Sequence, residues 1–107
     1  MPQKTFDELL IEAVEEAFSS LGESSKQAIY FHLEKKFKLS KEEIPKRLAD
    51  FAEGIEKIFG LGSKFLEILI IRKLYERIGK PITWDESKEF KFVDYVEDAK
   101  LRFSKEK

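Results

Sequence analysis

His32 is the only histidine in the chain, and no cysteine accompanies it. A histidine that binds metal or moves protons needs nitrogen or carboxylate partners converging on it, yet no HxxxH or Glu-x-x-His pair includes this one. The lack of cysteine excludes disulfides, thiolate nucleophiles and thiolate metal sites together, and favours a cytoplasmic protein. Gly60-Leu61-Gly62-Ser63 places two glycines before a helical pattern. It lacks both the GxxxxGK[ST] spacing and the preceding strand of a phosphate loop, so it reads as a helix break. These residues predict no catalytic centre, no metal, no cofactor and no small-molecule ligand.

Two charged stretches have residue types that could bind or react. Asp7, Glu8, Glu12, Glu15 and Glu16 crowd acid onto one segment, with no base between Asp7 and Leu21. Paired carboxylates can hold a divalent ion or exchange protons. Here Glu8, Glu12 and Glu15 form one stripe opposite an apolar face, the position of solvated charge, with an acidic docking face for a basic partner as the alternative. The basic stretch is Lys35, Lys36, Lys38, Lys41, Lys46 and Arg47. On two helices joined by a short turn it could lie along phosphates as a helix-turn-helix does. Against DNA binding stand the interrupting Glu34, Glu42 and Glu43, the lack of an arginine cluster to read guanine edges, and a formal net charge of −1.

The elements that must position these groups are legible from periodicity. Thr5-Phe6-Asp7-Glu8 has capping-box spacing, and Phe6, Leu9, Leu10, Ala13, Val14, Ala17, Phe18 and Leu21 then recur at steps of three and four. Gly22 can close that helix in a left-handed turn. Ser24 or Ser25 can cap a second helix, with Ala28, Ile29, Leu33 and Phe37 inward. Ser40-Lys41-Glu42-Glu43 is another capping box, and a tight turn there should lead to a third helix from about Pro45, burying Leu48, Phe51, Ala52, Ile55, Ile58 and Phe59. Ser63 can cap a fourth, which Gly79-Lys80-Pro81 stops. Phe92, Tyr95, Val96, Ala99 and Phe103 mark a last helix after a linker at 82–85, with 104–107 expected to fray. Acid-before-base pairs Glu34/Lys38, Glu43/Arg47, Glu53/Lys57 and Asp98/Arg102 agree with helices.

The chain is 107 residues long, so one domain is expected. The fold class predicted is all-α, a compact bundle of five helices around a central hydrophobic helix at 64–78. Residues 1–80 would form the core, and 81–107 a linker and amphipathic helix packing on it. A hydrophobic content of 42% argues against disorder, and 38% charged residues for a densely charged surface. No apolar run approaches the roughly 20 residues of a membrane span, and no leader-like stretch is evident, so a soluble chain with no membrane role is expected. The sequence has no asparagine and only two glutamines among many Lys and Glu, a composition associated with hyperthermophiles.

The fourth helix carries the most information. At roughly 100° per residue, Ile68, Ile71, Leu74, Tyr75 and Ile78 share one side, and Arg72, Lys73, Glu76 and Arg77 the other. Phe65, Leu66 and Leu69 lie above that charged side, so the first two turns are apolar all round. Leaving three such side chains exposed would forgo about 1.5–3 kcal/mol each. They must be covered by the last helix, by the linker with Trp84, or by a second molecule.

The stretches LGESSKQAIYFHLEKKF (21–37) and FGLGSKFLEILIIRKLYERIG (59–79) resemble a small archaeal family, the Nitrosopumilus output domain, type five. The likeness spans about residues 5–80 and leaves the last helix outside it. It implies an all-α module found alone or attached to signal-receiver domains, with no defined catalytic residues or cofactor, so no residue role transfers. The expected function is a non-catalytic protein–protein interaction or signal-output module. A homodimer or protein partner would meet Phe65, Leu66 and Leu69, and a DNA-binding helix-turn-helix is the alternative.

Overall fold

The computed structural model describes residues 4–105. The five predicted helices are all present, and no strand occurs among the described residues: α1 (Phe6–Ser19), α2 (Glu23–Phe37), α3 (Leu48–Phe59), α4 (Ser63–Ile78) and α5 (Phe92–Lys105). Short 3-10 turns at Lys41–Lys46 and Gly60–Gly62 join α2 to α3 and α3 to α4. The Thr5 capping box forms as its spacing predicts. The Thr5 amide donates to the Glu8 carboxylate at 2.8 Å, and the Glu8 amide to the Thr5 hydroxyl at 3.1 Å.

Helix boundaries depart from expectation where backbone geometry outranks side-chain caps. α1 stops at Ser19, and Gly22, at φ 103°, opens α2 instead of closing α1. Ser24 and Ser25 therefore lie inside α2, and Leu21 is left partly exposed. Ser63 is likewise the first residue of α4, with Gly62 at the cap position. Pro45 does not begin α3 but sits within the 3-10 turn, whose first turn is tied by the Glu43 carboxylate accepting from the Ser40 amide at 2.9 Å. That turn is held from inside as well. Leu39 and Ile44, which the helical spacing passes over, are both fully buried. Ser104 and Lys105 continue α5, and the last two residues of the expected fraying lie outside the described residues.

The core joins faces of all five helices. α4 makes its most extensive contact with α1 and also packs on α5 and α3. Phe6, Leu10, Val14 and Phe18 of α1 meet Ile70, Ile71 and Leu74 of α4 in one cluster with Phe51, Ile55, Phe92 and Val96. Phe18 and Phe51, with ring centroids 6.2 Å apart, and Phe51 and Phe92 at 5.7 Å, link α1 through α3 to α5. Ala28, expected inside, faces outward, since α2 buries only Ile29 and Leu33 fully.

Gly54 sets how closely α2 and α3 approach. A β-carbon there would lie 2.6 Å from Cδ2 of the buried Leu33. Glycine inside a helix costs about 0.5–1 kcal/mol against alanine, so its presence in α3 reflects packing. Gly54→Val should lower unfolding stability by about 1–3 kcal/mol through overpacking, read as a fall in urea midpoint. An unchanged or raised midpoint would mean that Leu33 moves aside freely.

Candidate functional site

Of the three residues expected to need a cover on α4, the structure separates one from the others. Leu66 is 6% exposed and belongs to the core, which removes it from any contact surface. Leu69 is half-buried and packs against the core edge. Phe65 is 81% exposed, and Leu61, in the 3-10 turn before α4, is 96% exposed. Neither the last helix nor the linker lies across Phe65. α5 docks on another side of α4, where the Tyr75 hydroxyl donates to the Asp98 carboxylate at 2.5 Å and lies 3.1 Å from the Tyr95 carbonyl. Trp84 packs against Phe90 and Tyr95 instead, its ring tilted to both at 6.4 and 5.1 Å.

The reverse surprise is Glu67. It is 1% exposed on the buried side of α4, and its Oε2 has no hydrogen-bond partner. Burial pushes its carboxyl above the usual glutamate range, Lys64 pulls it back in part, and Glu56 pushes it further up. Glu67 lines a cleft of about 580 Å³ between α3, the first turns of α4 and residues 89–94. At its rim the Lys64 ammonium lies 5.6 Å over the Phe90 ring and donates to the Phe90 carbonyl at 3.4 Å.

The acidic segment of α1 is not the free solvated stripe that its spacing suggests. Glu12 pairs with Lys4 and, at 3.3 Å, with Arg77; Glu16 pairs with Arg77 at 2.5 Å and Lys73 at 3.1 Å. Glu15 takes Lys41 at 3.1 Å and Lys26 at 3.4 Å. The bonds from Lys4 and Arg77 hold Glu12 below the usual glutamate range, and those from Arg77 and Lys73 do so for Glu16. Burial alone would raise Glu15, but the Tyr30 hydroxyl beside it and its two lysines outweigh that. Glu12 facing Arg77 while Glu16 reaches back to Lys73 sets α1 antiparallel to α4. The basic partners of this face come from the chain itself.

Much of the basic stretch is likewise engaged. Arg47 donates to the Lys38 and Phe37 carbonyls at 2.6 and 3.2 Å, capping the electronegative end of α2, and bonds Asp50 at 3.0 Å. Lys41 is held by Glu15, and Lys35 lies 5.7 Å over the Phe31 ring. Lys36, Lys38 and Lys46 are exposed. His32 is exposed too, edge-on to Phe31. Among the described residues, no three His, Asp or Glu side chains are placed to hold a metal ion.

Titration separates the two kinds of carboxylate. Glu12, Glu15 and Glu16 have depressed values when folded, so their stabilisation is present above the ordinary glutamate range and lost as pH falls through the folded values. Glu67 is raised, so its share is complete below that range and lost as pH rises through its folded value. Glu67→Gln should therefore raise the urea midpoint near about pH 7 and leave it unchanged near about pH 3.5, where both forms are neutral. Equal shifts at both pH values would contradict a buried, unpartnered carboxylate. The chain matches no protein-family model, no curated protein and no solved structure.

Proposed function

We propose that the protein is a small non-catalytic interaction module that self-associates through the outward face of α4. The observation that carries this reading is Phe65, 81% exposed in the first turn of α4, with the half-buried Leu69 one turn on and Leu61, 96% exposed, in the 3-10 turn before the helix. A cytoplasmic archaeal signal-output role is the biological setting in keeping with the family likeness at 21–37 and 59–79. A second copy is the occupant that best suits the stripe. The stripe is apolar and short, so two antiparallel copies can set Phe65 against Phe65 and match apolar surface with apolar surface. A net charge of −1 sets up little repulsion between copies.

The stripe is smaller than the roughly 800 Å² that each partner gives to a standard interface, so the association is a weak one. Sedimentation equilibrium should show reversible dimers at roughly tens of micromolar chain. Phe65→Lys should be monomeric with an unchanged unfolding midpoint, because little of its ring is buried within the chain. A monomeric wild type, or a Phe65→Lys variant that still dimerises, would end this reading. Leu69→Lys is less informative, since that side chain also packs against the core.

The rival reading, duplex-DNA binding, has as its free groups the exposed Lys36, Lys38 and Lys46. It requires retention on duplex DNA that falls steeply with salt, as contacts to several phosphates must. The interaction-module reading predicts no retention even at low salt.

A further inference from the structure

The cleft behind Glu67 has a composition that self-association does not use. Asp50, Glu53, Glu56, Glu67, Glu89 and Asp94 line it, against only Lys64 and Lys91. Five of the six acids are exposed and would by themselves amount to a solvated acidic rim. Glu67 is different. It is 1% exposed, lines the same cleft, and keeps an oxygen without a hydrogen-bond partner. Buried polar atoms are paired in the great majority of cases, and an orphan marks a place where a donor is missing. The cleft also shows how it treats cations, for the Lys64 ammonium rests over Phe90 and on its carbonyl.

The kind of cation follows from the placement of the acids. Among the described residues, no three carboxylates converge closely enough to hold a metal ion, so a point charge would meet few of them. They are distributed instead along α3, on α4 and through 89–94. A chain carrying several ammonium groups can meet them in turn, and each ammonium supplies up to three donors. We propose that this cleft binds a linear polyamine, with one ammonium seated on Glu67 and the others along the carboxylates of α3 and residues 89–94. An ammonium on Glu67 supplies the donor that its buried oxygen lacks. A single lysine side chain from a protein would satisfy Glu67 and leave the remaining acids unmatched.

Spermine is the probe, titrated into the full chain by calorimetry. The expected result is saturable binding, and a thermal midpoint raised beyond the effect of magnesium chloride at matched ionic strength. Glu67→Gln should weaken spermine binding by at least about tenfold. Glu56→Gln, a change at the exposed rim, should weaken it less. Magnesium matching spermine, a lysine-containing peptide binding more tightly than spermine, or Glu67→Gln binding as wild type would each overturn the proposal. Dimerisation through Phe65 is read separately by sedimentation, so failure of either proposal leaves the other standing.

Discussion

The rotation of α4 about its own axis is the constraint on which the rest of the structure depends. Phe65 and Glu67 lie roughly 200° apart on the helix, so one setting cannot bury the phenyl ring and expose the carboxylate while keeping the other apolar residues inside. Turning Phe65 inward would bring out Ile70, Ile71, Leu74 and Tyr75, all now buried. Four such side chains at about 1.5–3 kcal/mol each outweigh one phenyl ring. They also outweigh the burial of one carboxyl, whose charge that burial disfavours. The uncovered Phe65 and the unpartnered Glu67 are two results of the same choice.

The neighbours of α4 enforce that setting. On one flank Lys73 and Arg77 are drawn to Glu16 and Glu12 of α1. On another, Tyr75 is tied to Asp98 and the Tyr95 carbonyl of α5. Partly exposed ion pairs contribute little each, commonly below about 1 kcal/mol, so burial holds the helices together and the charges fix their register and direction. The same division applies between α2 and α3. There Gly54 permits close packing on Leu33, while Arg47 bonds across the turn to the end of α2.

The helices are legible in the sequence because their apolar residues recur at three and four, and the Thr5 capping box because it depends on neighbours in sequence. The boundaries at Gly22 and Pro45 are not, since each reflects tertiary packing or a backbone angle that a serine nearby cannot signal. Leu39 and Ile44 read as loop residues, yet they are buried because the 3-10 turn packs against α1 and α3. The acidic stripe of α1 is visible as a pattern, but its partners Arg77 and Lys73 lie some sixty residues away. Periodicity sees one helix at a time. In α4, where almost every early position is apolar, it cannot choose the rotation, and it makes Leu66 an outlier when Leu66 is core. A lone glutamate in an apolar run is the available signal for Glu67, and it reads equally well as the wet position of that helix.

Carbon-13 NMR titration of the Glu67 carboxyl is the most direct measurement of that rotation. A buried Glu67 predicts a midpoint clearly above the ordinary glutamate value of about 4.3, because burial and the nearby Glu56 both disfavour its charge. A midpoint at or below that value would place Glu67 in water, and with it would go the buried face, the exposed Phe65 and the cleft.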